Sequence, residues 1–370
     1  MKIIKQKKSF LKNVRPTINK IAKYIPGEYI VTRKNGKVIK LSSNESPFKI
    51  PVNLERLISR ELSNSFRYPD GDSQLLKQAI AEKYLINKKQ IICGNGSDDI
   101  LSLISQAFTP FGSEIICSKN GFIFYPVIAQ AAGAKIVYAD SIDLNISLDN
   151  ILKKITKKTK VIFFANPNNP SGTILYRKEI CKFLQEVSKD IIIVLDGAYA
   201  EYVNEANYTD GIDLVKKFKN VIVTRTFSKV YALAGLRVGW AYSSLEIIEI
   251  LEKIRGPFNV NLIAQIAAAE ILQNNRFLKK SIRHNFIWRN WLRKKLEKLN
   301  FKVYDSFGNF LLVKSTSTNI SAKKIVSKLK DNNIIVRDLN NYGLKDFFRV
   351  SIGLESELKI FVKELYKIVE

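Results

Sequence analysis

Between residues 90 and 242 the chain alternates short, β-branched apolar runs with helical segments, and almost every apolar run stops at a polar cluster. Strands are expected at 90–93, 114–118, 135–139, 161–165, 191–195, 221–224 and 238–242, with helices at 98–108, 127–132 and 178–188. Few topologies satisfy such a pattern. Strand–helix–strand crossovers build a mostly parallel sheet covered by helices on both faces, an α/β fold. Open sheets of that kind hold ligands at the carboxyl ends of their strands. Polar clusters fall there: Gly94-Asn95-Gly96-Ser97, Asn166 through Gly172, Asp196, and Thr226-Phe227-Ser228-Lys229.

Outside this stretch the texture changes. A short strand is expected at 37–42, turns at Tyr24-Ile25-Pro26-Gly27 and at Arg67 through Gly71, and a helix at 75–84. Residues 245–255 and 261–296 read as mainly helical, broken at Gly256-Pro257. Short strands at 302–304, 310–313, 334–336 and 347–352, with helices at 322–330 and from 356, then suggest a smaller α+β unit. The expected organisation is an N-terminal arm and part of the small unit at 1–45, a large unit at 46–285, and the small unit completed by 286–370.

With 60 Lys and Arg against 34 Asp and Glu the net charge is +26, which brings nucleic acid and anionic membranes into consideration. The lysines are dispersed, however, and no nucleic-acid motif accompanies them, so a lysine-heavy solvated surface is the expectation, with neither nucleic acid nor membrane as partner. Cys93, Cys117 and Cys181 lie far apart in apolar runs and His284 is the single histidine, so neither a disulfide nor a metal centre is expected. No run of about 18 apolar residues and no leader pattern occurs, which points to a soluble, cytoplasmic protein.

The polar positions each admit two readings. Lys229 ends an apolar strand, and desolvation beside Arg237 would depress its pKa and make its amine a nucleophile toward an aldehyde; alternatively it is one more surface lysine. Gly94 through Ser97 opening a helix suits a phosphate, although Ser97 is equally a helix cap and Asp98 an ordinary first-turn acid. Asp196 at the end of a buried strand needs a partner, either a protonated ring nitrogen or a backbone turn or arginine. Asn169 presents an amide from a Pro-rigid loop, or merely builds the turn. Phe122 stacks on a flat ring or belongs to the core. Arg349, alternating out of an apolar strand, meets a ligand anion or an internal acid. Together the first readings supply what pyridoxal phosphate chemistry requires.

At that point a resemblance covers nearly the whole chain. It runs through Leu41-Ser42-Ser43-Asn44-Glu45-Ser46-Pro47-Phe48, Tyr68-Pro69-Asp70-Gly71, Gly94 through Asp99, Asn166 through Gly172, and Asp196-Gly197-Ala198-Tyr199. It continues in Thr226 through Lys229 with Arg237, Arg255 through Asn261, and Arg349 through Gly353. In these the chain resembles the fold-type I, class II pyridoxal phosphate-dependent aminotransferases, most closely those acting on histidinol phosphate.

The resemblance implies that Lys229 forms the Schiff base with the cofactor and shuttles a proton, and that Asp196 keeps the pyridine nitrogen protonated. Tyr199 and Asn169 would hydrogen-bond the cofactor's phenolic oxygen, and Phe122 would stack on its ring. Ser97, Asp98, Ser228 and Arg237 would hold the phosphate, with Tyr68 arriving from the other subunit of a homodimer. Tyr24, Asn169, Arg337 and Arg349 would line the substrate side. It also implies ping-pong exchange between histidinol phosphate plus 2-oxoglutarate and imidazole acetol phosphate plus glutamate, a step in histidine biosynthesis. An aromatic amino acid aminotransferase, a threonine-phosphate decarboxylase of the same fold, and a non-catalytic binder of polyanions are the alternatives. Two departures from the family pattern stand out: Gly197 where Glu often follows the aspartate, and Ser46 where Asn is common.

Overall fold

The computed structural model describes residues 13–21, 32–33, 36–315 and 320–370; Tyr24 and the turn it begins lie outside the described residues. A short hairpin, β1 (Thr32–Arg33) and β2 (Gly36–Lys37), precedes β3 (Ile39–Leu41). The larger sheet is built from β4 (Ile91–Gly94), β5 (Glu114–Ser118), β6 (Lys135–Ala139), β7 (Thr159–Ala165), β8 (Ile192–Asp196), β9 (Val221–Thr226) and β10 (Gly239–Tyr242). Its spatial order is β4-β10-β9-β8-β7-β5-β6. β5 through β9 pair in parallel, while β10 runs antiparallel to both its neighbours, which places Gly239 level with Thr226 and Gly94. The mostly parallel α/β sheet is therefore present.

Every residue of β5, β8 and β9 is buried, so these strands read as unbroken apolar runs rather than as alternations. Successive residues nevertheless serve opposite faces. Ile193 and Leu195 join the core beneath helices Gln74–Tyr84, Arg177–Glu186 and Leu262–Gln273, while Ile192 and Val194 join the one beneath Ser97–Phe108, Phe124–Ala131 and Leu245–Ile254.

The smaller sheet comprises β11 (Lys302–Val303), β12 (Phe310–Lys314), β13 (Ile334–Asp338) and β14 (Phe347–Ser351), with β3 added parallel to β13 at its edge. Helices Ala322–Asp331 and Glu355–Val369 cover its core. Helix Asn275–Lys298 serves both cores: Phe277 packs with the large sheet's core, and Leu292 and Leu296 with the small sheet's. Three helices depart from the sequence expectation, Val52–Glu61, Leu148–Lys153 and Ile212–Lys217. The first buries only Leu54, and the other two span six residues each, too short to show a helical period. Among the described residues no helix is long and apolar enough to cross a membrane.

Candidate active site

The carboxyl ends of β4, β7, β8 and β9 open into a cavity of about 250 Å³, closed on the other side by the small sheet and the segment after β3. Asp196, the last residue of β8, is buried there. Its Oδ2 accepts a hydrogen bond from the Tyr125 hydroxyl at 2.8 Å and its Oδ1 one from Thr224 Oγ1 at 3.1 Å. Burial pushes the carboxyl pKa up, and these bonds oppose the rise by favouring the charged form. Tyr125 went unremarked in the sequence, where it falls in the aromatic stretch just before the helix expected at 127–132. The available signal was its place three residues after Phe122, one helical turn on, which sets its ring edge-on to Phe122 at 5.5 Å.

Behind Asp196 lies the explanation of Gly197. A Cβ there would fall 1.6 Å from Arg225 Nη1. Arg225 is fully buried and donates to the carbonyls of Thr224 at 3.2 Å and Asp210 at 2.7 Å, with the carboxylates of Asp210 and Glu201 at 3.2 and 3.8 Å. The space of the missing side chain is thus occupied by a paired guanidinium. The turn after Asp196 is backed by Arg225 where a side chain at 197 would otherwise lie.

Lys229 follows β9 and lines the same cavity, its Nζ donating to the Ser43 carbonyl at 3.1 Å and lying 5.9 Å from the centre of the Tyr199 ring. Its pKa is lowered to about 8, first by burial, then by the Arg349 guanidinium, with Arg237 contributing less. The depressed lysine expected from the sequence is present, but the cation chiefly responsible comes from the small sheet. Tyr199 accepts a hydrogen bond from Asn44 Nδ2 at 2.9 Å, and burial raises its phenol to about 12.

The helix Ser97–Phe108 points its N-terminus at the cavity. Gly96, not Ser97, is its cap residue, and no side chain caps it, so the capping role considered for Ser97 is not the one the fold uses. Gly96 has φ +86°, and a Cβ on it would meet Arg237 Nη2 at 2.4 Å. That clearance lets Arg237 lie across the helix start, 3.5 Å from Asp98 and donating to Ser228 Oγ at 3.2 Å. Free backbone N–H groups, a helix N-terminus, two hydroxyls and an arginine make a phosphate cradle. Phe122 is half-buried: it lines the cavity and also packs against the core beneath helices Ser97–Phe108 and Phe124–Ala131.

The opposite wall carries two arginines. Arg337 on β13 and Arg349 on β14 stand directly across from each other in antiparallel register, so both project from one face of the sheet into the cavity. Arg349 is buried, donates to Asn169 Oδ1 and to the Ser42 carbonyl at 3.0 Å, and its Nε has no partner among the described residues. Those partners are neutral: the internal acid that would have made it a structural arginine is absent among the described residues. Tyr342 also lines this wall and was not anticipated. Tyr68 lies outside the cavity, 82% exposed, stacked on Phe258 with ring centres 4.5 Å apart. Tyr24 is outside the described residues.

The arrangement suits pyridoxal phosphate: an amine with a depressed pKa, a buried acid lining the same cavity, an aromatic side chain in its wall and an uncapped helix start. A sequence profile of the aminotransferase class I and II family matches residues 36–365. The chain belongs to that family, and its cofactor is pyridoxal 5′-phosphate. Within the family its relatives include the histidinol-phosphate aminotransferases of Pelagibacter ubique, 39% identical over 93% of this chain and 95% of that one, and of Rhodopseudomonas palustris, 38% identical over 94% and 96%. A crystal structure of histidinol-phosphate aminotransferase from Sinorhizobium meliloti, in complex with pyridoxal-5′-phosphate, shares the fold with a TM-score of 0.89 and 24% identity, covering 96% of this chain and 97% of that one.

Proposed function

We propose that this chain is a pyridoxal phosphate-dependent transaminase of histidine biosynthesis, interconverting histidinol phosphate plus 2-oxoglutarate and imidazole acetol phosphate plus glutamate. The observation that carries the reading is the pair Arg337 and Arg349, opposite each other across the cavity from an amine of depressed pKa. Two guanidiniums on one sheet face repel unless an anion lies between them. A phosphate dianion takes both, whereas an amino acid carboxylate is satisfied by one bidentate fork.

Bound pyridoxal phosphate supplies an aldehyde and an electron-withdrawing ring. Ser97 and Asp98 through their N–H groups, with Ser228 and Arg237, would hold its phosphate, and Phe122 would cover a ring face. Asp196, held at both oxygens by Tyr125 and Thr224, would pair with the protonated ring nitrogen. Tyr199 and Asn169 face the phenolic oxygen. Lys229 Nζ, neutral above about pH 8, would take the proton from the substrate's Cα and deliver it to C4′ of the cofactor. Arg349 orients the anionic group of each amino donor in turn, and Arg337 with Tyr24 supplies the further contacts a phosphate needs.

Residues 46–285 form the cofactor-binding unit and 286–370 with β3 the smaller one, while the part of the N-terminal arm at 13–21 lies against helix Phe124–Ala131 of the larger unit. Tyr68, exposed on its own copy, reaches the phosphate of a second copy in a homodimer. The enzyme is cytoplasmic, where its free Cys93, Cys117 and Cys181 stay reduced. Single-turnover rates with histidinol phosphate, glutamate and phenylalanine test the substrate reading. Histidinol phosphate and glutamate are expected to react faster than phenylalanine, and Arg337→Ala to slow histidinol phosphate more than glutamate. A faster phenylalanine half-reaction would instead make the enzyme an aromatic aminotransferase.

A further inference from the structure

The three residues that follow β3 each meet a different group of the site. Ser42 accepts from Arg349, Ser43 from Lys229, and Asn44 donates to Tyr199. Asn44 is 1% exposed and holds φ 54°, a left-handed conformation that asparagine tolerates better than most residues. Its backbone N–H donates to Ser351 Oγ at 2.8 Å, its Oδ1 lies 3.1 Å from the same hydroxyl, and its carbonyl accepts from Asn309 Nδ2 at 2.9 Å.

The hydrogens in this cluster can be assigned one after another. The Ser351 oxygen accepts from the Asn44 backbone N–H, and its single hydroxyl hydrogen is donated to Asn44 Oδ1. An amide whose oxygen takes that hydrogen presents its NH₂ at the other end, 2.9 Å from Tyr199 Oη. The phenol oxygen is therefore an acceptor on that side. Its own O–H must point away from Asn44, into the cavity that Tyr199 and Lys229 both line. We propose that Asn44, locked by Ser351, is a positioning residue that fixes the direction of the Tyr199 hydroxyl hydrogen and keeps it aimed at the cofactor's phenolic oxygen. The proposal rests on the reading of Tyr199 given above. It also gives the small sheet a direct hold on the cofactor side of the cavity, since Ser351 belongs to β14 and Tyr199 follows β8.

Asn44→Asp tests the direction of the bond. A carboxylate has the same shape but only accepts, and Lys229, Arg237 and Arg349 in the same cavity keep it ionised, so it draws the Tyr199 hydrogen toward itself. The experiment titrates cofactor-free protein with pyridoxal 5′-phosphate and with its 3-deoxy analogue, which lacks the ring oxygen, and compares the ratio of the two dissociation constants. Tyr199→Phe should lower the wild-type preference by about tenfold, the worth of one hydrogen bond. Asn44→Asp should lower it as far while leaving the 3-deoxy affinity unchanged, and should add nothing in the Tyr199→Phe background. Ser351→Ala, which frees the amide to turn, should move the ratio the same way by less, and reads the proposal independently if the aspartate variant does not fold. If Tyr199→Phe keeps the wild-type ratio, the reading of Tyr199 is wrong. If Tyr199→Phe loses the preference while Asn44→Asp and Ser351→Ala keep it, or weaken both ligands equally, Asn44 is scaffold and the proposal is overturned.

Discussion

Two buried arginines sit on either side of the cavity and are treated in opposite ways. Arg225, behind Asp196, has two carboxylates and two carbonyls around its guanidinium. Arg349, on the far wall, has an amide oxygen, a carbonyl and the face of the Phe310 ring but no carboxylate among the described residues, with Nε unpartnered and a second arginine directly opposite. Burying a guanidinium is tolerable when its charge is compensated inside the protein. Where compensation is missing, the fold has left that charge for a ligand. The difference separates a structural arginine from a binding one, although both are nearly inaccessible and both sit on strands of the same kind of apolar sequence.

Removing each arginine should break the comparison in a different observable. Arg225→Met leaves Glu201 and Asp210 without their counter-charge, and is expected to cost about 3–5 kcal/mol in denaturant unfolding. Arg349→Met should leave unfolding free energy within about 1 kcal/mol of wild type while kcat/KM for the amino donor falls at least about 100-fold, close to 3 kcal/mol of transition-state stabilisation. Gly197→Ala, whose Cβ collides with Arg225, should destabilise by about 1–3 kcal/mol, and by clearly less in an Arg225→Ala background where the obstruction is gone.

The smallest effect concerns the amine. Lys229 must be neutral to capture an aldehyde, so uptake of pyridoxal phosphate by cofactor-free protein should speed up as pH rises through about 8 and level off above it. Because the neighbouring guanidinium holds the ammonium form down, Arg349→Met should move that midpoint upward. An unmoved midpoint would mean that burial alone sets it.

What the sequence disclosed follows from which interactions are local. Strand positions were legible because fully buried parallel strands leave unbroken apolar runs, and the site groups at their carboxyl ends follow from topology. The reversed direction of β10 left no trace in its four residues, since pairing direction is decided by neighbours far along the chain. Tyr125 and the segment from Ser42 to Asn44 were missed as functional parts for a related reason: they act through contacts to residues between 71 and 307 positions away. The opposition of Arg337 and Arg349 depends on register between strands joined by a long turn. Tyr199 was placed only by resemblance, and nothing in its immediate neighbourhood singled it out, whereas Asn169 stood out through its Pro-flanked loop at a strand end.

The reversal of β10 has a geometric consequence of its own. Arg237 stands just before that strand, and because Gly239 is level with Thr226 and Gly94, the guanidinium emerges at the rim where the ligand groups gather. Had the four residues run with their neighbours, the same arginine would have entered at the opposite rim, roughly 10 Å away at about 3.3 Å per residue. A tight return after Lys229 thus folds the chain back on itself and brings two ends of one loop to bear on a single point, without any excursion around the sheet.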